Sequence, residues 1–506
     1  MGIFANPLTD LLEYEDFSRD FLKGTDPVGM TGCIDSEKVH FMSTFLGEKK
    51  VQLVVTYNEQ RAREIEEDYK LFCSQVYVIP PRDLIFFSAD LQGNVIIAER
   101  MKAFAALYQN EAKVIITTMD ALMSAAVPFE QLMSHVIKLK EGDELDLEKL
   151  KHDLTVMGYE RVGRVEEPGQ FTVHGGIADV YPLTMEVPVR IELWGDEIDT
   201  IRCFEPQSQR SMDQIECVSV FPAAEVIADD TARRRAVGMI QNELESQLAV
   251  FKKAKEPDKA RRLREETNRI LEALGEDVVL EAPDSYISYF YPRTVQLSEY
   301  FDEKNTLVFL DEPMRLKERG DGVQAEFEES MKNRLEQGFL LPGQTALLTP
   351  AKHVLAAFER GQVAALSSLD SRLADFTVVN SYAVNVQNMN TYREGFELLI
   401  KDLTHWKKEK YRVVLLCPSR TRANRIVNQL IEYDLLAYYS EDEDKKINPG
   451  EIMVTYGNLH RGFLYPMLKF AVITESDIFG VKKKKKEKKS HYQGQRISDF
   501  AQLKPG

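Results

Sequence analysis

The chain has 506 residues, 64 of them lysine or arginine and 81 aspartate or glutamate, for a net charge of −17 with histidine neutral. Its 44% hydrophobic and 29% charged residues exclude collagen-like, coiled-coil and wholly disordered architectures, and the length predicts three or four domains at roughly 150 residues each. No uninterrupted apolar run approaches about 18 residues, so no membrane-spanning helix is expected. The acidic opening MGIFANPLTDLLEYEDF also lacks the basic and then apolar segments of a secretory leader, which points to the cytoplasm.

Five cysteines, Cys33, Cys73, Cys203, Cys217 and Cys417, lie far apart and form no CxxC pair. They read as reduced, packed thiols, and neither a zinc site nor a disulfide framework is expected.

In chain order, the first segment alternates short β-branched runs with amphipathic stretches. VQLVVTY (51–57), VYVIP (76–80) and VIITT (114–118) are separated by helical patterns, which predicts βαβ units and a parallel sheet covered on both faces, ending near residue 127. From 128 to 222 the period changes to two. HVIKLK, QFTVHG, GIADVYP, VRIELWG and TIRCFEP predict an inserted α+β domain with an antiparallel sheet, packed by a helix in LDLEKLKHDLTVMGY.

Residues 228–275 form a charged helical stretch broken at Pro257, with Met239, Leu244, Leu248 and Phe251 as its expected buried stripe. Its arginines (233–235, 261, 262 and 264) invite a nucleic-acid reading, but the glutamates interleaved with them read as a solvated face laced with weak ion pairs. TLVFLDEP (306–313) reads as a buried strand ending in two acids and followed by a helix over 322–337, a return to the first domain over 223–365. A small α/β domain follows over 376–480, after the linker SSLDSRLAD. The segment 481–506 carries KKKKKEKK (482–489), a solvated linker or a nonspecific nucleic-acid binder.

Near the start stands VGMTGCIDSEK (28–38). A phosphate-binding loop needs GxxxxGK[ST], so that backbone N–H groups wrap the phosphates and the lysine neutralises them. Gly29 opens that template, Gly32 lies within it and Ser36 closes it. Ile34 and Asp35 stand in place of the second glycine and the lysine, and a carboxylate repels phosphate. The loop reads as a degenerate P-loop without nucleotide chemistry, so no cofactor is expected here. Asp311 and Glu312, placed where a Mg²⁺-holding pair would follow a strand, are expected to cap a helix instead.

At this loop, and above all in GYERVGRVEEPGQFTVHGGIADVYPLTMEVPVRIELWGDEIDTIRCFEPQSQRS, the chain resembles the transcription-repair coupling factor (Mfd) family. These are bacterial translocases whose amino-terminal half is similar to the excision-repair protein UvrB. The resemblance implies a UvrB-like α/β domain split by an insert that recruits UvrA, with only RDLIFFSADLQGN where UvrB has its long DNA-clamping hairpin. It implies an amino-terminal piece of roughly half a longer protein. The ATP- and Mg-dependent motor and the contacts to RNA polymerase and double-stranded DNA would lie in segments outside this chain. A UvrB-like FRVRG segment falls on Phe171-Thr172-Val173-His174-Gly175, with two of its arginines replaced. An arginine-x-glutamate pair falls on Arg190 and Glu192, and an upstream arginine on Arg161. With Arg202, the residues Arg161, Phe171, His174, Arg190 and Glu192 form the implied UvrA-binding set.

The fold expected is therefore multidomain α/β: a parallel-sheet, degenerate P-loop-like domain split by an antiparallel α+β insert, then a second small α/β domain. The function expected is non-catalytic recruitment of UvrA. The rival reading is a DNA-binding module acting through the basic tail and the arginine-rich helix.

Overall fold

A computed structural model describes residues 7–48, 50–82, 92–275, 283–370, 376–392, 395–442 and 445–480. The lysine block 482–489 and most of the 82–94 segment and of the 367–375 linker lie outside the described residues.

The apolar runs near the start become β1 (Val28–Thr31), β2 (Val51–Thr56), β3 (Val76–Ile79) and β4 (Val114–Thr118), with the short β5 (Ala125–Ala126) after them. The chain then leaves this sheet for the insert, made of β6 (Ile137–Lys140), β7 (Glu160–Arg161), β8 (Gln170–His174), β9 (Ile177–Val180), β10 (Val189–Trp194), β11 (Glu197–Phe204), β12 (Ser211–Gln214) and β13 (Cys217–Val220). Six of these form a sheet in the order β12-β11-β10-β9-β8-β7, while β6 and β13 pair separately and tie the start of the insert to its end. Its neighbours are antiparallel apart from β7 and β8, as strict alternation requires. Asp146 caps the Leu147–Val156 helix by accepting the N–H groups of Glu148 and Lys149, and Leu150 and Leu154 seal the inner face.

Two helices, Asp230–Ala254 and Pro257–Gly275, lead back to the first sheet. Pro257 starts the second helix, where its missing N–H leaves no hydrogen bond unmade. The buried stripe of the first is Ala236, Ile240, Leu244 and Phe251. Met239, expected in that stripe, is 39% exposed, one residue out of phase with it. Leu248 is partly buried against the same core.

After β14 (Val295–Gln296), which pairs with β5, the chain re-enters the first sheet as β15 (Thr306–Asp311), β16 (Gln362–Ser367) and β17 (Asn380–Ala383). The seven strands lie in the order β17-β1-β16-β15-β2-β4-β3, and every neighbouring pair is parallel. One sheet is thus built from segments on both sides of the insert, and β17 extends it past residue 376. The Pro313–Glu336 helix begins well before residue 322 because Pro313 fits its first turn.

The last unit holds β18 (Gln387–Asn388), β19 (Arg412–Cys417), β20 (Ala437–Tyr439), β21 (Ile452–Tyr456), β22 (Phe463–Tyr465) and β23 (Phe470–Thr474), in the order β18-β22-β23-β19-β21-β20. It does not stand apart. Leu416, Met453, Phe463, Tyr465 and Phe470 pack in one apolar cluster with Phe17, Phe41 and Val54 of the first domain.

Candidate functional site

The strand β1 ends at Thr31, and the helix Asp35–Ser43 begins four residues later. Gly29, expected as the first loop glycine, lies inside β1 between Ala365 and Ser381. The turn itself is made at Gly32, whose φ is +83° and where a Cβ would come within 2.0 Å of the Val384 carbonyl oxygen. Only glycine fits there. Ile34 precedes the helix and Asp35 opens it; the Ile34 N–H donates to Glu37 Oε2 at 3.1 Å.

The cation missing from the loop stands one turn further on. Lys38 is 3% exposed, and its Nζ lies 2.7 Å from both Asp311 Oδ1 and Glu312 Oε1. The other Asp311 oxygen accepts from Thr56 Oγ1 at 2.8 Å and Arg61 Nε at 3.3 Å. Burial pushes Asp311 up, but Lys38 and Arg61 outweigh it and hold the carboxyl down at about 2. The expected capping role for this acid pair is corrected. Glu312 occupies the position before the Pro313–Glu336 helix without a side-chain cap bond, and both acids instead hold an internal ammonium where a nucleotide site would hold metal and phosphate.

The last unit closes the same place from outside. The Arg461 N–H donates to Ser36 Oγ at 2.9 Å and the His460 N–H to Asp68 Oδ1 at 2.5 Å, while the Arg461 guanidinium lies 3.6 Å from Asp35 Oδ2. The Tyr465 hydroxyl donates to Glu37 Oε1 at 2.7 Å. Burial raises Glu37 to about 7, against the pull of Tyr465 and the Ile34 N–H. It raises Asp68 to about 6, against the Ser36 hydroxyl and the His460 N–H. Gly32, Ile34, Asp35 and Ser36 therefore do come together, as a seat for the chain's own last unit. Among the described residues no group of three or more His, Cys, Asp or Glu side chains is placed to hold a metal ion.

The insert presents the contrasting surface. In register across its sheet, Thr172, Asp179, Arg190 and Arg202 form one row, and His174, Ile177, Glu192 and Thr200 the next. Both rows lie on the face opposite the insert's core, because Val173, Ala178, Ile191 and Ile201 alternate with them and are buried. Arg190 grips Asp179 with two bonds, Nε to Oδ1 at 2.8 Å and Nη2 to Oδ2 at 2.7 Å, and its guanidinium lies 4.8 Å from the centre of the Phe204 ring. That bidentate pair keeps Arg190 more firmly charged than usual. Glu192 accepts from Thr200 Oγ1 at 3.1 Å. Arg202 is half-buried, with a buried Nε that has no hydrogen-bond partner among the described residues.

The structure thus brings His174, Arg190, Glu192 and Arg202 onto one face. Phe171, placed in the same set by resemblance, is 0% exposed in the insert's core, so it supports the face from beneath and touches no partner. Arg161 is exposed on the edge strand β7, in register with Phe171 and not with the outer rows. One residue was missed. Trp194 continues the outward phase of Arg190 and Glu192 and is 84% exposed, and Ile177 beside the same rows is 40% exposed. Its signal was legible, since in VRIELW the apolar inward positions are Val189, Ile191 and Leu193, which leaves the tryptophan on the polar phase.

A family model described as the UvrB interaction domain matches residues 137–225, the insert together with the residues that return from it. A second model, the MFD D3 domain, matches residues 405–478, most of the last unit. The chain is a relative of the transcription-repair coupling factors. The transcription-repair-coupling factor of Bacillus subtilis strain 168 is 28% identical over 508 residues, covering 99% of this chain and 43% of that protein. Those of Staphylococcus epidermidis RP62A and Staphylococcus haemolyticus are 27% and 28% identical, covering 100% and 96% of this chain and 42% and 41% of theirs. The chain therefore spans less than half the length of these coupling factors. No helix among the described residues is long and apolar enough to cross a membrane.

Proposed function

We propose that this chain is a non-catalytic recruitment module of a coupling factor, and that the outer face of its insert binds UvrA. The observation that carries the reading is the coincidence of the UvrB interaction domain with an outer sheet face that bears Arg190, Glu192 and Arg202 and leaves Trp194 exposed. Arginine and tryptophan are the side chains that most often dominate interface energetics, arginine by bidentate pairing with carboxylates and tryptophan by filling a pocket. The internal pairing of Lys38 with Asp311 and Glu312 supports the absence of nucleotide chemistry in this part. We assign ATP and Mg²⁺, RNA polymerase and duplex DNA tracking to other parts of a coupling factor.

The test is capture of purified UvrA by the immobilised chain. Wild type is expected to bind, and Trp194→Ala and Arg190→Ala each to weaken binding with circular dichroism unchanged. Full affinity in the combined Arg190→Ala, Trp194→Ala variant removes the assignment of this face.

A further inference from the structure

The turn between the Asp230–Ala254 and Pro257–Gly275 helices is a place where the molecule's charge reverses. Residues 252–266 contain seven basic and four acidic side chains, in a chain of net charge −17. Lys252, Lys255, Arg261 and Arg264, with the Glu256 carboxylate among them, line an open cavity of about 460 Å³ whose apolar lining is small or aliphatic. Four like charges around one space repel one another, and the neighbouring acids do not relieve them. Glu256 is held by Lys259 at 2.9 Å and Glu266 by Arg269 at 3.3 Å. Arg261 reaches only Asp258, at 3.5 Å with both side chains largely exposed. The side chains of Lys252, Lys255 and Arg264 have no ion-pair partner among the described residues.

Lys252 and Lys255 end the first helix, where cations suit its dipole, but Arg261 stands near the positive end of the second, where they do not. The first helix's dipole accounts for Lys252 and Lys255 but not for Arg261 and Arg264, and a polyanion would relieve the mutual repulsion of all four. We propose that this hairpin turn binds the sugar-phosphate backbone of duplex DNA without reading its sequence. Ammonium groups on long stems and two guanidinium forks around an open mouth match phosphate oxygens spaced along a backbone. No aromatic side chain lines the cavity, so it offers no stacking platform for the bases of a single strand. This site is independent of the UvrA face, lying on different elements.

The experiment is fluorescence anisotropy of a labelled duplex of mixed sequence titrated with the full chain between 50 and 200 mM salt. It is run in a background in which the lysines of 482–489 are replaced by glutamine, so that the tail contributes nothing. Binding is expected to persist in that background and to weaken about a hundredfold across this salt range, as release of counterions from about four phosphates requires. The variant Lys252→Gln, Lys255→Gln, Arg261→Gln, Arg264→Gln should lose most of that affinity and of its salt dependence, with circular dichroism and UvrA capture unchanged. Binding that vanishes with the tail lysines alone, or that survives the fourfold variant, overturns the proposal. So does displacement of the duplex by polyglutamate at equal charge concentration, which would make the ligand an acidic polypeptide.

Discussion

The seat of the degenerate loop and the outer face of the insert use the same chemistry to opposite ends. In the first, the buried Lys38, Arg61 and Asp311 and the half-buried Glu312 are turned on one another, beside the loop that His460 and Arg461 of the last unit hold through Asp68 and Ser36. In the second, Arg190 is satisfied by Asp179 at the base of the face, while the buried Nε of Arg202 has no hydrogen-bond partner among the described residues and Trp194 stands in water. A buried ion pair recovers little net stability on forming but exposes the fold to a large loss if one partner goes, so a site whose charges satisfy each other serves as structure. A face that leaves a tryptophan ring in water beside arginine and glutamate side chains gains apolar burial on being covered, which is the property the proposed partner surface needs.

Removing one partner of the buried cluster gives the largest expected effect. Lys38→Met leaves Asp311 and Glu312 without their ammonium and should destabilise the chain by about 3–5 kcal/mol, read as a fall in the urea midpoint. Adding Asp311→Asn should recover part of that loss. A change within about 0.5 kcal/mol would show that the cluster is no structural unit, and the comparison would collapse. The insert face should behave in the reverse way. Trp194→Ala is expected to weaken UvrA capture by about 2 kcal/mol, roughly thirtyfold, while thermal unfolding shifts by no more than a degree or two.

Acidity separates the regions again. Glu37 and Asp68 have folded values raised to about 7 and about 6 from ordinary values of 4.5 and 3.8. The folded state therefore binds more protons than the unfolded one over this window, so the contribution of these two groups is complete below about pH 4 and is lost as pH rises through about 6 and 7 toward 8. The loss between about pH 5 and 8 should be on the order of 4 kcal/mol and should fall by more than half in Glu37→Gln, as measured by urea unfolding at a series of pH values. Asp311, held at about 2, loses its stabilising charge only below about pH 4 and does not contribute to this slope. The smallest effect is expected from restoring the loop's letters. Ile34→Gly with Asp35→Lys should still give no ATP-dependent shift in melting temperature, because Lys38 already occupies the acids and the last unit covers the loop. Micromolar ATP binding by that variant would show the site to be closed by two residues alone.

The alternation of QFTVH, IADVY and VRIELW and the continuous apolar runs VQLVV and VIITT were sufficient to predict an antiparallel insert within a parallel α/β sheet. Side-chain period and strand burial are local consequences of backbone geometry. The same alternation places Arg190, Glu192 and Trp194 on one face, although resemblance alone put Phe171 there, and its period assigns it to the core. The destination of the charges was not legible. Lys38 meets Asp311 across 273 positions of sequence and Arg461 meets Ser36 across 425, and no local pattern ranks one distant partner above another. Met239 fell on the wrong phase for a related reason, since which arc of a helix is buried depends on what packs against it. The sequence by itself therefore determined the elements, the polar phase of the insert and the absence of a lysine from the loop. Tertiary structure decided that another lysine had taken its acids and that the last unit had closed the seat, because ion pairing inside a protein is set by which groups folding removes from water together.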